Sequence, residues 1–183
     1  LIKARVCHCV QHTSGNGLPL GAEINEKFFK VFPLDIGLTA AQMGISSIRR
    51  TEFKKMLMAN KGGLAELFTA LQIRCSQAPL TEPKLYYWQK TGGRQGEVDF
   101  IFQQGLKVVP VEVKAGAAGS MKSLHKFMFD KKLDLAVRCD INPFSVNDLS
   151  LQTTCGQDVC YKLVSTPHYL TETLPSLLEQ IYR

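Results

Sequence analysis

The densest hydrophobic patterning lies between Gly96 and Lys114. Val98, Phe100 and Phe102 alternate with Glu97, Asp99 and Ile101; after a break at 103–105, Lys107–Val113 is rich in valine. Alternation and β-branched content predict two strands joined by a tight turn. Further strands are predicted over Leu1–Gln11, Lys27–Leu34, Leu85–Trp88 and Leu133–Arg138, with an edge strand over Val159–Val164. A short helical segment is expected over Leu38–Met43, then a basic amphipathic helix capped by Ser46 or Ser47 and running to Met58. The stretch 60–63 should break it, before a second helix over Leu64–Arg74 whose core stripe is Leu64, Leu67, Phe68 and Leu71. Ser120 is the expected N-cap of a helix reaching Phe129 and burying Met121, Leu124, Phe127 and Met128. A closing helix over Thr171–Tyr182 carries Leu174, Leu177, Leu178 and Ile181 on one face, with Pro175 tolerated in its first turn. Loops are expected over 13–21, 76–84 and 140–158, and a glycine-rich turn over 91–96.

Two apolar strands flanking a loop, then a small helix, suit a winged-helix wing or a small β appendage. The expected division is therefore 1–48 and 49–183, with an α/β fold in the larger part. The 183 residues, 45% hydrophobic and 21% charged, suffice for one ordinary domain or two small ones and exclude wholesale disorder. No apolar run is long enough to span a membrane, and no signal peptide is visible. The chain opens at Leu1 inside a strand pattern, so it is expected to be a piece of a longer protein.

Charge changes the picture more. The net charge is +6, and residues 49–138 alone carry 16 basic and 8 acidic groups. A basic surface favours phosphate-rich ligands, nucleic acid first, against the plain alternative of a solvated basic face. Of six cysteines, Cys75 and Cys139 are expected in the core. Cys7 and Cys9, near His8 and His12, and the pair Cys155 and Cys160 have spacings atypical of structural zinc. With no disulfide framework and no export signal, a reducing cytoplasm is the expected setting.

The candidate chemistry sits in the central strands, which carry acids where apolar residues belong. Burying Asp99 or Glu112 costs several kcal/mol, roughly, unless the carboxylate is paired, hydrogen-bonded or metal-bound. Lys114 follows Glu112 by two residues and so shares its face. Convergence of Asp99 with Glu112 and Lys114 would give hard oxygen ligands suited to Mg²⁺ or Mn²⁺, with an ammonium beside them. Glu66 is placed off the core stripe, on a flank shared with Ala70 and Ile73. It is either a solvated glutamate or a third carboxylate aimed at the metal. The plain alternative for Asp99 and Lys114 is a structural ion pair. The run 116–123 lacks a Gly-Lys-Ser/Thr triplet, which excludes a P-loop.

Asp99, then Glu112-x-Lys114 on the next strand, after a helix bearing Glu66, resembles the PD-(D/E)XK, restriction-endonuclease-like core. More narrowly, several segments resemble an uncharacterised C-terminal domain that follows a P-loop ATPase module of the AAA+ type in bacterial and archaeal proteins. They are Lys30–Leu38, Gly63–Glu66, Tyr87–Trp88, Glu97–Phe100, Val109–Gly116, and Lys122–Leu124 with Phe127. The Pro usual before the first acid is Val98 here, and Glu97, two residues before Asp99, competes as a ligand. The resemblance implies a nuclease-like mixed sheet flanked by helices, carried by a cytoplasmic ATPase. ATP would bind only in that N-terminal module, with no ATPase activity here. Asp99, Glu112 and Glu66 would hold Mg²⁺ or Mn²⁺, and Lys114 would act on the phosphodiester. Expected partners are nucleic acid, DNA favoured, and the ATPase module, with no membrane; oligomerisation is left open. The alternatives are a catalytically silent module that binds nucleic acid or protein, and a purely structural docking domain.

Overall fold

The computed structural model describes residues 1–44, 50–90 and 96–181, with backbone alone for 50–60. Its strands are β1 (Cys7–Thr13), β2 (Ile24–Pro33), β3 (Leu85–Gln89), β4 (Glu97–Gln104), β5 (Lys107–Val113), β6 (Leu135–Asp140), β7 (Ser145–Gln152) and β8 (Asp158–Pro167). Its α-helices are α1 (Ile36–Gln42), α2 (Arg50–Cys75), α3 (Lys122–Lys131) and α4 (Leu174–Ile181). The strands form one mixed sheet in the order β2-β1-β3-β4-β5-β6-β8-β7. The chain is thus a mixed α/β fold. Strands β3, β4 and β5 form an antiparallel meander, and α3 then carries the chain across to β6, parallel to β5.

The two faces bury separate cores. On one, Ala70 and Ile73 of α2 and Leu174 and Leu178 of α4 pack on Phe100, Val109, Val111, Val113 and Val164. On the other, Leu124, Phe127 and Met128 of α3 pack on Val98, Ile101, Ala136 and Leu163. Each fully buried large side chain of this kind is worth about 1.5–3 kcal/mol, which fixes α2, α3 and α4 against the sheet. Trp88 closes the second core against Phe127, their ring centroids 5.0 Å apart.

Several expectations need correction. The leading strands do not stand apart as a winged-helix-like appendage: Val10, Gln11 and His12 pair in parallel with Leu85, Tyr86 and Tyr87, which joins β1 and β2 to the one sheet. Residues 60–63 do not break the helix. Gly62 and Gly63 are exposed, and each costs about 1 kcal/mol relative to alanine. The packing of Leu67, Ala70 and Ile73 outweighs that cost, and α2 runs unbroken over 26 residues. The segment 140–158 is not irregular, because it contains β7. That strand pairs along its length with β8, from Ser145 opposite Ser165 to Gln152 opposite Asp158. Backbone pairing holds it with few apolar side chains, so its sequence shows little alternation. Strand β8 is consequently internal, and β7 is the edge. Ser120 does not cap α3; the N-cap is Met121, without a side-chain hydrogen bond. Cys75 is exposed at the end of α2, whereas Cys139 is fully buried and burial pushes its thiol up to about 12. The two cysteine pairs lie on β1 and around β8, with four strands between them, so they cannot share a zinc ion. The proposed caps Ser46 and Ser47, and most of the 91–96 turn, lie outside the described residues.

Candidate functional site

A β-bulge builds the site. Tyr86 lies opposite Ile101 and Trp88 opposite Val98, so two residue steps on β3 face three on β4. The extra residue falls at Asp99–Phe100. A bulge interrupts the ladder and re-aims the side chain beside it. On the other side of β4, the pairing with β5 ends at Phe100 opposite Val111, and beyond it the Val113 N–H donates to Asp99 Oδ2 at 2.7 Å. Asp99 is thereby pinned to the backbone between Glu112 and Lys114.

Helix α2 brings Glu66 to the same place. Its sheet-facing side is the flank that holds Glu66, Ala70 and Ile73, with Ala70 and Ile73 buried, while Leu64, Phe68 and Leu71 are only partly covered. Of the expected stripe Leu67 is fully buried, the covered face extends from it to Ala70 and Ile73, and Glu66 is not a freely solvated glutamate. Glu66, Glu97 and Asp99 each place a carboxylate oxygen within 4.8 Å of the others, close enough to hold one metal ion. Lys30 reaches in from β2: its ammonium donates to Glu97 Oε1 and lies 3.6 Å from Glu66 Oε2 and 5.0 Å from the centroid of the Tyr87 ring.

Glu112 and Lys114 stand on the other side of their strand. Val111 and Val113 belong to the α2-side core, so by alternation Glu112 and Lys114 face α3. Lys114 Nζ donates to Glu112 Oε1 at 2.5 Å, and the buried Oε2 has no hydrogen-bond partner. A Cβ on Gly119 would lie 2.6 Å from Lys114 Cδ, so only glycine lets this loop close on the lysine stem. His168 braces the site from behind. Its Nε2 is 3.1 Å from the Lys114 carbonyl and its Nδ1 3.3 Å from Thr69 Oγ1, three residues along α2 from Glu66. A carbonyl only accepts, so Nε2 carries the proton and Thr69 donates to Nδ1.

A second charged group lies beside this site at the end of β6. Asp140 is fully buried, and its Oδ2 is 2.7 Å from Arg138 Nε. Asn142 donates to it twice, from its backbone N–H to Oδ1 and from Nδ2 to Oδ2, both at 2.7 Å. Arg138 and Asn142 also donate to the Ala117 carbonyl, which ties down the 115–120 loop over Lys114.

Electrostatics mark the first group as unfinished. Burial raises the Glu112 carboxyl to about 7, with the nearby charge of Asp99 adding to it and Lys114 opposing. Asp99 is raised by burial against the Val113 hydrogen bond and Lys30, and Glu66 by burial and by Asp99. Burial works against the Lys30 ammonium, yet Glu97, Glu66 and Asp99 outweigh it and raise its pKa. Three carboxylates around one described cation leave a surplus of negative charge. All donors are hard oxygens, which fits Mg²⁺ or Mn²⁺ and disfavours a thiolate-type zinc site.

Of the residues singled out in the sequence, the fold gathers Glu66 and Asp99 around one point. It sets Glu112 and Lys114 against each other a strand-thickness away, within electrostatic reach of Asp99. Glu97, expected as a competitor, is a full member of the cluster. Sequence reasoning missed Lys30, Gly119 and His168. For Lys30 a signal existed, since it opens the Lys30–Leu38 segment; His168 carried none.

The fold and site together define a mixed α/β domain with an acidic cluster able to hold a metal at one end of its sheet. Residues 61–150 match the model of a domain of unknown function, DUF4143, a span that includes Glu66, Glu97, Asp99, Glu112 and Lys114. No curated protein and no solved structure matches the chain. Among the described residues no helix is long and apolar enough to cross a membrane.

Proposed function

We propose that this domain binds Mg²⁺ or Mn²⁺ at its acidic sheet end and hydrolyses phosphodiester bonds of nucleic acid, with a restriction-endonuclease-like core. The observation that carries the reading is the bond from Val113 N–H to Asp99 Oδ2. It sets Asp99 against the Glu112-Val113-Lys114 segment while Glu66 approaches from α2. The order of parts that carries the resemblance is also the order of the chain: α2 with Glu66, β3, β4 with Asp99, β5 with Glu112, Lys114 directly after it, α3, β6.

Asp99, Glu66 and Glu97 would hold the ion, with the unpartnered Glu112 Oε2 across β5 and within electrostatic reach of Asp99. A divalent ion there supplies Lewis-acid stabilisation of the scissile phosphate. Lys114 would supply an ammonium to offset charge growing on the phosphoryl oxygens, with Gly119 against its stem and the Arg138–Asn142 clamp holding the loop that carries Gly119. Glu112, raised to about 7, can accept and release a proton at Oε2 near neutral pH. The basic excess of 49–138 would bind the nucleic-acid backbone, DNA favoured. An ATPase module in the same protein and a cytoplasmic setting belong to the same proposal.

A second reading is favoured by one observation: Lys30 and Lys114 already pair with the acids. On that reading the domain is a catalytically silent module that binds nucleic acid or protein for an ATPase partner.

The test is cleavage of labelled single- and double-stranded DNA and RNA with Mg²⁺ or Mn²⁺, beside Asp99→Ala and Lys114→Ala variants shown to be folded. Metal-dependent cutting that both variants lose is the expected result. Absence of cutting, with no Mn²⁺ bound on titration, leaves the silent module. Binding to DNA that weakens steeply with salt then distinguishes a nucleic-acid module from a protein-docking one.

A further inference from the structure

The geometry points to Lys30 as a built-in counter-cation of the acidic cluster, one that a divalent ion must displace in order to bind. The inference rests on the metal-binding reading above and adds a regulatory residue to that site from a part of the chain, β2, that carries none of the sequence-predicted ligands. Its ammonium contacts Glu97 and Glu66 together, and these are two of the three residues whose carboxylates converge. A metal ion coordinated by that set would occupy the region where the ammonium is now paired.

Three features make the placement specific. Lys30 is paired with Val10 in the sheet, so its backbone is fixed and its stem has one way to run. The ammonium lies over the buried Tyr87 ring, which holds a cation at modest cost in hydration. Glu97 and Glu66 come from different elements, β4 and α2, so one ammonium holds together two parts of the site that would otherwise repel. An independent observation points to a ligand of higher charge. Glu112, whose own charge interacts with Asp99 and Glu66, keeps a buried oxygen without a partner, although Lys30 and Lys114 are both engaged. Two ammonium groups therefore leave this end of the sheet short of positive charge, and a divalent ion held by Glu66, Glu97 and Asp99 would supply it. With the ion bound, the lysine is released toward the exposed edge of β2 and becomes free to contact an anionic ligand.

Isothermal titration with Mn²⁺ alone on the wild-type chain and on Lys30→Met tests this. Methionine keeps an unbranched stem over Tyr87 without the charge. Lys30→Met is expected to bind Mn²⁺ at least about tenfold tighter than wild type, and Lys30→Arg, which keeps a cation, about as wild type. Melting curves in chelator give a second readout: Lys30→Met melts lower than wild type there, and Mn²⁺ raises its melting temperature by more than it raises that of wild type. Lys30→Gln serves as the replacement if the methionine variant fails to fold. If wild type binds Mn²⁺ and the Lys30 variants bind no tighter, or weaker, the counter-cation inference is wrong and the metal reading stands. If neither wild type nor the variants bind at millimolar Mn²⁺, both are wrong, and Lys30 is a plain structural ion pair.

Discussion

Two carboxylate groups sit near each other at this end of the sheet, and they are finished to different degrees. Asp140 is fully buried, yet both its oxygens accept from Asn142 and one lies 2.7 Å from Arg138 Nε, an ion pair in which that N–H makes no aligned hydrogen bond. Glu112 is slightly less buried, holds one ammonium on Oε1 and nothing on Oε2. Depth of burial therefore does not distinguish a structural acid from a candidate ligand; the completeness of the hydrogen-bond shell does. A buried polar group with all its partners is a rivet, and one that lacks a partner has capacity left for a ligand.

The comparison breaks most sharply at Asp140. Replacing it with alanine leaves the mostly covered Arg138 without its counter-charge and loosens the Arg138 and Asn142 hold on the 115–120 loop, at an expected cost of about 3 kcal/mol. Urea denaturation measures it. An Asp140 variant of near wild-type stability would show that the two groups are not different in kind.

Glu112 should behave in the opposite sense. Its folded pKa, near 7, lies above its ordinary value of 4.5. The folded state therefore holds a proton that the unfolded chain has released across that interval. Stability from this group is present below pH 4.5 and is lost as pH rises through about 7. Metal-free protein should therefore lose roughly 1–3 kcal/mol between pH 5 and pH 8 from this group. Glu112→Gln should flatten that slope, and saturating Mn²⁺ should weaken it because a nearby divalent charge favours the ionised acid. Denaturation midpoints across pH, with and without Mn²⁺, read both effects.

The smallest effect on stability is expected at Gly119. Alanine there must push the Lys114 stem aside, at on the order of 1 kcal/mol. Displacing the ammonium from Oε1 should raise the Glu112 pKa further, which carboxyl-detected NMR titration follows. An unchanged Glu112 titration would mean that the lysine has a second equivalent position.

Much of this was legible in the residues because the relevant patterns were local. The alternation of β4 and β5, the Glu-x-Lys spacing and the buried face of α3 follow from two-fold and 3.6-fold periodicity alone. The bulge at Asp99–Phe100 was not legible: it appears only as a mismatch in step count against β3, and a single strand does not show its partner's register. Lys30 and His168 act across long stretches of chain, where no periodicity connects cause and effect. Helix α2 shows the reverse failure. Two glycines were read as a break, but they sit on its exposed side, where their cost is local and the packing of Ala70 and Ile73 prevails. β7 was missed because an edge strand held by its ladder needs little apolar patterning.

Lys30 and Glu97, joined in the site, are separated by 67 positions in the chain. Contacts of such long range carry a large loop-closure cost and tend to be completed late in folding. An ion that needs Glu66, Glu97 and Asp99 together would then find no binding site on the nascent or partly folded chain. Its stabilisation would act after the rate-limiting barrier, slowing unfolding and leaving the folding rate nearly untouched. The metal would set how long the native domain persists rather than how quickly it is made.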